Sequence, residues 1–377
     1  MAVRLVVAAV VLFACGPDDP APVAQETASH AASSPAPLPP QLAHHRSIVV
    51  GWLVQCAAYA DELFCWGSTW DLPRFPSVDV TRQWERSPVT RIAVHDAPRA
   101  VAAGSRHICV LHEDGAVHCS GREGGDGLLG FETCWVRYEV DHPVRLLAPA
   151  TDIAIDGGLT CALLDDGRVE CWGLPSSLGG AAICGPRLVM TETGHELRCA
   201  RLDAGACVDP DGAVWLWGAP AGRRGADALT ATRAEGLARA REVVVTNEVV
   251  CVIDDDRAVS CTRGGLPLPV PLRAKASAID CAGDGCCVIT ADGALACWGA
   301  PHLRALSTAA SPATDVRALA LGGETLCWST GDAHEIWCAS RAPSAFGTGM
   351  RDDPILAAPE ARPIALTSRA GPDAHER

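Results

Sequence analysis

Residues 157–173 read GGLTCALLDDGRVECWG, and this stretch sets the pattern for most of the chain. Short apolar runs flank the Asp-Asp-Gly turn at residues 165–167, which is a strong signal for a β-hairpin. Glycine suits the third position of this turn because it adopts left-handed backbone angles without a steric cost. Centring the hairpin on Asp166 places Cys161 opposite Cys171, at a separation close to that of a disulfide. The stretch therefore predicts a hairpin whose strands are joined by a disulfide, an arrangement called a staple below.

The same arrangement recurs along the chain. Six cysteine pairs flank a turn in this way: Cys56 with Cys65, Cys109 with Cys119, Cys161 with Cys171, Cys251 with Cys261, Cys287 with Cys297, and Cys327 with Cys338. A seventh copy, Ala204 to Gly218, keeps Cys207, but Leu216 stands where the second cysteine is expected. A period of about 40–50 residues with two or more strands per unit is typical of a propeller blade. We therefore predict an all-β fold, a seven-bladed β-propeller with disulfide-stapled blade hairpins.

Residues 104–121 read GSRHICVLHEDGAVHCSG, which resembles the regulator-of-chromosome-condensation repeat in its bacterial, cysteine-bearing form. Gly127-Leu128-Leu129-Gly130 is similar to the family's Gly-Gln-Leu-Gly corner. The resemblance covers all seven units, residues 47 to 340, and implies a propeller of seven blades. In the fifth unit Arg257 stands where the resemblance places a turn glycine. The eukaryotic name-giver acts on chromatin and a small GTPase, but export and acidity argue against that activity here.

The first residues have the composition of an export signal. Residues 1–14 begin with one basic residue, Arg4, and continue with an apolar run too short to span a membrane as a helix. Leu12-Phe13-Ala14-Cys15-Gly16 resembles a bacterial lipobox, which implies lipid attachment to Cys15. Gly16, rather than an aspartate, implies sorting to the outer membrane by the same resemblance. The alternative is an ordinary signal peptide with an incidental cysteine.

The sequence divides into four segments. Residues 1–14 are the predicted signal peptide, and residues 15–46 are the lipidated cysteine and a Pro/Ala/Ser-rich tether. Residues 47–367 are the predicted propeller, and residues 368–377 are a disordered tail. An open ring would expose unpaired strand edges. We therefore expect the apolar segments 48–50 and 364–367 to lie in the same sheet or in adjoining sheets.

Nineteen cysteines in an exported chain favour disulfides. Without Cys15 an even number remains, and six stapled hairpins leave Cys134, Cys184, Cys199, Cys207, Cys281 and Cys286. Cys199 flanks the hairpin that lacks its second cysteine, so Cys207 is expected to pair with it. Cys281 and Cys286 bracket a tight loop, and a Cys134–Cys184 bond would link neighbouring blades. Buried free thiols are the alternative, and the sequence does not fix the pairing of these six residues.

Charge and motifs exclude several functions. A net charge of −14 and a pI near 5.3 give no basic footprint for nucleic acid. Residues 125–130 match Gly-x-Gly-x-x-Gly literally, but they follow a hairpin strand and precede residues 131–134, which show no helical period. The βαβ unit of a dinucleotide site is therefore not indicated. Nucleophile elbows, phosphate loops and zinc-protease motifs are absent from the sequence. Asp254-Asp255-Asp256 is interpreted as a solvated turn and His107 as a packed residue. We therefore predict no catalytic residue, no metal and no cofactor.

Tryptophans fall into two groups. Trp66, Trp172 and Trp298 directly follow a staple cysteine and are expected to pack between blades. Trp70, Trp84 and Trp135 lie in the longer connections of the first two units. They are the candidate binding surface, because tryptophan is enriched at interface hot spots. They could equally cover the apolar edges of long loops.

The combined features predict a monomeric scaffold for an unknown protein partner, attached to the membrane only through its lipid. One alternative is an inhibitor of a secreted enzyme, similar to propeller-type β-lactamase inhibitors, with aromatic residues of many blades on one rim. Another is a hydrolase or lyase with carboxylates at the mouth of the channel. That hypothesis requires acids at matching rim positions, and the acids outside the turns show no such pattern in the sequence.

Overall fold

Antiparallel hairpins of the predicted kind recur along the chain and assemble into seven sheets. The computed structural model describes residues 47–51, 54–59, 62–68, 86–92, 94, 96–134, 136–174, 181–222, 227–246, 249–299, 303, 314–323, 325–331, 335–340 and 360–364. Within the described residues, no helix has the length and apolar character needed to cross a membrane.

The sheets are numbered as blades 1 to 7 in chain order. Blade 1 contains β1 (Ile48–Val50), β2 (Val54–Tyr59), β3 (Glu62–Ser68) and β4 (Arg86–Ile92). Blade 2 contains β5 (Pro98–Ala103), β6 (His107–His112), β7 (Val117–Gly124) and β8 (Val136–Pro143). Blade 3 contains β9 (Ala150–Asp156), β10 (Gly158–Leu164), β11 (Val169–Leu174) and β12 (Ile183–Leu188). Blade 4 contains β13 (Met190–Thr191), β14 (Arg201–Asp203), β15 (Ala206–Val208), β16 (Val214–Leu216) and β17 (Thr230–Arg233). Blade 5 contains β18 (Ala240–Val245), β19 (Val249–Asp254), β20 (Val259–Arg263) and β21 (Leu266–Leu268). Blade 6 contains β22 (Ala276–Ala282), β23 (Gly285–Thr290) and β24 (Leu295–Trp298), and blade 7 contains β25 (Val316–Gly322), β26 (Thr325–Thr330), β27 (Glu335–Ser340) and β28 (Glu360–Ile364).

Each blade is a run of consecutive antiparallel strands, with one addition in blade 4. There β13 pairs in parallel with β17 and becomes a fifth strand. In every blade the first strand of the antiparallel run lines a central channel. Seven such sheets around one channel confirm the predicted seven-bladed propeller.

Staples join the second and third strands in six blades. Cys161 is paired in register with Cys171, as the turn geometry predicts. The Cα atoms of all six stapled pairs are 4.1 Å apart. The six bonds join Cys56 to Cys65, Cys109 to Cys119, Cys161 to Cys171, Cys251 to Cys261, Cys287 to Cys297, and Cys327 to Cys338. The disulfide-stapled hairpin is therefore confirmed as the repeated element of the fold.

The apolar core consists of seven clusters, and each fills the contact between two neighbouring blades, called a seam below. Successive residues of a strand face opposite sides of the sheet. Cys171 therefore faces blade 4, and the next residue, Trp172, faces blade 2. Trp66 likewise packs on blade 7, and the partly buried Trp298 packs on blade 5. The predicted packing of these three tryptophans between blades is confirmed.

Blade 4 differs from the other blades by one residue. Leu216 does occupy the position of a second staple cysteine, but the residue opposite it is Ala206 rather than Cys207. The segment between Cys207 and the turn is one residue shorter than in blade 3. A shift of one residue moves a strand's side chain to the other face of the sheet. Cys207 therefore faces blade 3, where it is bonded to Cys199 with the Cα atoms 5.9 Å apart. The position of Cys207, rather than a lost partner, explains this bond.

Among the described residues, hairpin turns link neighbouring blades at five seams, from blades 2–3 to blades 6–7. The carbonyl oxygen of Gly167 accepts a hydrogen bond from the amide of Cys199 in the following unit, with an N···O distance of 2.7 Å. The corresponding acceptor–donor pairs at other seams are Gly115–Ala150, Gly212–Ala240, Arg257–Ala276 and Gly293–Val316. The turn residue is left-handed in blade 3, where Gly167 has φ 86°, and in blade 5, where Arg257 has φ 63°. Blade 5 thus keeps the turn without its glycine.

The two ends of the propeller meet at the seam between blades 7 and 1. Ile48 of β1 and Ile364 of β28 belong to one core cluster, together with Trp66. A Cβ on Gly322 of blade 7 would lie 2.2 Å from the carbonyl oxygen of Val50 in blade 1, so this approach requires glycine. The expectation of adjoining sheets is confirmed for Ile48 and Ile364. Residues 365–367 and the tail lie outside the described residues.

Candidate functional site

The inner strands of the seven blades enclose a cavity of about 840 Å³. Six acidic residues contribute to its lining: Asp152, Asp156, Asp203, Glu242, Asp280 and Asp284. Three basic residues also line it: Arg99, Arg106 and Arg201. Among the charged groups of the lining, acidic residues therefore outnumber basic ones.

Asp156 is an acid of the channel whose pKa is shifted. Burial, the larger cause, and the nearby carboxylate of Asp203 together raise the pKa of its carboxyl group to about 6. Its side chain is only partly accessible, at the end of β9. A carboxyl group with such a pKa is partly protonated in mildly acidic solution.

Two channel acids support the next blade. Asp203 Oδ2 accepts a hydrogen bond from the amide of Val245 at 2.7 Å, which joins blade 4 to blade 5. Asp280 Oδ2 accepts one from the amide of Leu321 at 2.7 Å, which joins blade 6 to blade 7. A carboxylate bound to a backbone amide in this way orders the neighbouring strand.

Asp203 and Asp280 hold equivalent positions on the inner strands of blades 4 and 6. Asp203 lies opposite Ala206, and Asp280 lies opposite the staple residue Cys287. Asp203 precedes Ala206 by three residues, whereas Asp280 precedes Cys287 by seven, so neither the cysteines nor the Asp-Gly turns align the two acids in the sequence. Only the strand pairing brings them to the same position. Both carboxylates bind backbone amides, so the match does not support the hydrolase or lyase alternative.

His107 is buried at the seam between blades 2 and 3. Its Nε2 forms a hydrogen bond with the hydroxyl of Thr160 in blade 3, at 2.8 Å. Burial lowers the pKa of the His107 imidazole to about 3, and the nearby Arg106 guanidinium contributes. The ring is therefore neutral at ordinary pH and packs between the blades, as the sequence analysis interprets it.

The Gly-x-Gly-x-x-Gly stretch forms a corner of blade 2. The Arg106 guanidinium donates to the Asp126 carboxylate, and the Trp172 indole N–H donates to the carbonyl of Leu128 at 3.2 Å. The Cys134–Cys184 disulfide joins the segment after this corner to β12 of blade 3. The corner therefore holds two blades together, and the described residues show no strand–helix pair around it.

A buried glutamate supports the connection between the same blades. Glu170 of blade 3 accepts a hydrogen bond from the amide of Leu147 at 2.9 Å. Burial raises the pKa of the Glu170 carboxyl group above its usual value, although this hydrogen bond and the Arg168 guanidinium oppose the change. Glu170 orders the chain between blades 2 and 3.

Two disulfides meet at the seam between blades 5 and 6. The sulfur atoms of Cys251, Cys261 and Cys286 lie within 4.8 Å of one another. Cys251 is bonded to Cys261, and Cys286 is bonded to Cys281. These sulfurs are engaged in covalent bonds and are not free to act as metal ligands.

The remaining predicted site residues lie outside the described residues. These are the lipidation residue Cys15 and the candidate binding residues Trp70, Trp84 and Trp135. The described tryptophans are mostly buried: Trp66, Trp172 and Trp217 are 0% exposed and Trp328 is 3% exposed. These four side chains are therefore not available as the exposed aromatic face that the inhibitor alternative requires.

Comparisons with known proteins agree with this geometry. A model of the Regulator of chromosome condensation (RCC1) repeat matches residues 99–127. The comparison with curated proteins returned no match. Human WBSCR16 is 14% identical over 73% of this chain and 83% of its own, with a TM-score of 0.57.

Two further solved structures have a similar fold. Prp20p of Saccharomyces cerevisiae is 14% identical over 73% of this chain and 80% of its own, with a TM-score of 0.56. The CRINKLY WD40 ectodomain of the receptor kinase ACR4 from Arabidopsis thaliana is 17% identical over 78% and 95%, with a TM-score of 0.53. At these identities the likeness concerns the fold alone. Together with the repeat match, it supports an RCC1-type propeller.

Proposed function

We propose that the chain is a protein-interaction scaffold without catalytic activity of its own. The observation that carries this proposal is that four polar side chains of catalytic types bind neighbouring parts of the propeller. His107, Glu170, Asp203 and Asp280 all bind groups of a neighbouring blade or of the connection to it. Residues of the types that perform acid–base chemistry are here part of the architecture.

The fold relatives favour a protein partner. The structure of Prp20p was described together with its binding to Gsp1p and histones, and yeast RCC1 (Prp20) was crystallised with Kap60. Binding of proteins by those propellers supports the same class of partner here by analogy of fold. The net charge of −14 argues against nucleic acid as the ligand.

The proposed contact surface is the set of connections that carry Trp70, Trp84 and Trp135. Loops on a rigid scaffold are where binding residues concentrate, and tryptophan is the residue type most enriched at hot spots. The described tryptophans are largely committed to the seams, which leaves these three as the stronger candidates for contact.

A crosslinking experiment tests the surface. A photoreactive amino acid replaces Trp84 in the full-length protein, and the same amino acid replaces Leu266 as a control, because Leu266 is 73% exposed on blade 5. We expect a partner to be crosslinked from position 84 and not from position 266. The purified partner should then bind the triple variant Trp70→Ala/Trp84→Ala/Trp135→Ala at least about tenfold more weakly. Unchanged affinity of the triple variant would contradict the proposed surface.

We further propose export and attachment to the outer membrane through a lipid on Cys15. The apolar start, the residues around Cys15 and the proline-rich tether support this. The ACR4 ectodomain shows that a propeller of similar fold can form the extracellular part of a receptor.

Lipid labelling tests the anchor independently of any partner. The wild-type protein should incorporate labelled fatty acid, and Cys15→Ser should lose the label and leave the membrane fraction. Gly16→Asp is the matched variant, expected to keep the label and to change the membrane in which the protein is found. Absence of label from the wild type would overturn the lipoprotein proposal.

A further inference from the structure

The seam between blades 5 and 6 brings a staple into contact with a second disulfide. The staple Cys251–Cys261 lies on the side of blade 5 that faces blade 6, the next blade in the chain. The staples of the other blades also face the next blade. Cys286 precedes the staple residue Cys287, so it faces the opposite side of the sheet, toward blade 5. Cys286 Sγ consequently lies 3.5 Å from Cys251 Sγ.

The four cysteines differ in their access to solvent. Cys281 lies on the inner strand β22, contributes to the lining of the channel and is 8% exposed. Its partner Cys286 is 1% exposed, while Cys251 and Cys261 are 0% and 3% exposed. A small thiol that enters the cavity of about 840 Å³ therefore reaches Cys281 before the other three.

We propose that Cys281 is a covalent capture site for a low-molecular-weight thiol, and that the neighbouring staple drives the capture by disulfide exchange. Among the described residues, only Cys251, Cys261 and Cys286 bring three cysteine sulfurs within 4.8 Å of one another. The exchange is therefore proposed for this seam alone.

The exchange has two steps. The thiolate of the incoming thiol attacks Cys281 Sγ, so the Cys281–Cys286 bond breaks and a mixed disulfide forms on Cys281. The Cys286 thiolate is then released beside Cys251 and attacks it, which breaks the Cys251–Cys261 bond and forms Cys251–Cys286.

Atoms and electrons balance without a further reagent. One disulfide is consumed and one is formed in each step, so the number of disulfides is constant. The proton of the incoming thiol ends on Cys261. The second step removes the Cys286 thiolate, the group that would otherwise expel the captured thiol, and leaves a new covalent link between blades 5 and 6.

Peptide mapping of the oxidised full-length protein after incubation with glutathione tests the proposal. We expect one glutathione on Cys281, a Cys251–Cys286 crosslinked peptide, and Cys261 as the newly alkylated cysteine. An adduct on Cys281 without the Cys251–Cys286 link would overturn the exchange. Absence of an adduct, or adducts spread over other disulfides, would overturn the capture site.

A variant without the blade 5 staple provides the control. In Cys251→Ser/Cys261→Ser the Cys286 thiolate can only return to Cys281, so the adduct should fall at least about tenfold. Cys161→Ser/Cys171→Ser removes a staple of the same type in blade 3 and should keep the wild-type yield. Equal yields of the glutathione adduct on Cys281 in both variants would contradict the proposed exchange with the blade 5 staple. The crosslink in the wild type decides the question even where a variant fails to fold.

Discussion

Arg257 has a backbone conformation that suits glycine better than arginine. It has φ 63° in a turn where Gly115, Gly167, Gly212 and Gly293 have φ between 80° and 86°. A left-handed conformation costs a residue with a Cβ about 1–2 kcal/mol, which a glycine at this position would avoid. The greater flexibility of glycine in the unfolded chain offsets part of that gain in stability. Arg257→Gly should therefore stabilise the protein by about 1 kcal/mol in urea unfolding.

The matched variant for this prediction is Gly167→Ala. It introduces a Cβ at the same turn position in blade 3, where φ is 86°, and should destabilise the protein by about 1 kcal/mol or more. A loss of stability in Arg257→Gly would show that its side chain contributes more than its backbone conformation costs.

Asp156 makes stability depend on pH. Its pKa of about 6 in the folded protein lies above the ordinary value of 3.8, so the folded state binds more protons between these values. The carboxyl group therefore lowers stability as pH rises through this window, by at most about 3 kcal/mol near neutral pH. Asp156→Asn should be more stable than the wild type at pH 7 and equally stable at pH 4.

Urea unfolding of both proteins at the two pH values checks this difference. His107 has its pKa lowered to about 3, so its own contribution to stability is lost as pH falls below its usual 6.5. That contribution is present in both proteins and cancels in the comparison. If Asp156→Asn changes the free energy of unfolding by the same amount at pH 4 and at pH 7, titration of Asp156 is not the cause of that change.

Individual residues show where prediction from sequence ends. The roles of Trp66 and Trp172 follow from alternation along a strand, which is a local rule. The bonds of Asp203 to Val245 and of Asp280 to Leu321 join residues 42 and 41 positions apart. They depend on how two blades meet, and no spacing rule within one strand contains that information.

The stapled hairpin is the element that the sequence predicts most fully. Its Asp-Gly turn and its alternating strands are local signals, and they fix both the register and the facing cysteines. The departure in blade 4 was harder to predict because a single missing residue before the turn reverses the face of Cys207. The parallel pairing of β13 with β17 also joins segments with no shared turn.

Blade 4 offers a test of the staple as an element. Ala206 and Leu216 are paired in register at the positions that cysteines hold in the other blades. The double variant Ala206→Cys/Leu216→Cys should form a disulfide spontaneously during oxidative folding. In the chain-entropy model this short loop stabilises the oxidised form by about 2–3 kcal/mol over its reduced counterpart.

Non-reducing peptide mapping and urea unfolding measure this outcome. Ala206→Ser/Leu216→Ser is the control, because it loses the leucine packing without gaining the bond. Free thiols at both positions, with the Cys199–Cys207 bond intact, would contradict the equivalence of the blades.

Closure of the ring is a property of the whole molecule. Ile364 is 5% exposed and lies in the cluster that joins blade 7 to blade 1. Deletion of residues 363–377 removes Ile364 and shortens β28, which leaves part of β27 without its ladder partner. We expect the melting temperature to fall by several degrees.

A shorter deletion provides the comparison. Removal of residues 368–377 takes away only the predicted tail and should leave the melting temperature unchanged. An equal melting temperature for both deletions would show that the ring closes without the end of β28.

The turn carbonyls described above have a consequence for following the protein in solution. Each accepts a hydrogen bond from one amide of the next unit: Ala150, Cys199, Ala240, Ala276 and Val316. Exchange of such an amide with deuterium requires that its own bond open. Five consecutive seams, from blades 2–3 to blades 6–7, therefore each carry a separate isotopic reporter. A partner that contacts a few neighbouring blades would slow exchange at the seams it covers and leave exchange at the other seams unchanged. The position of the binding site could therefore be mapped seam by seam without chemical modification of the protein.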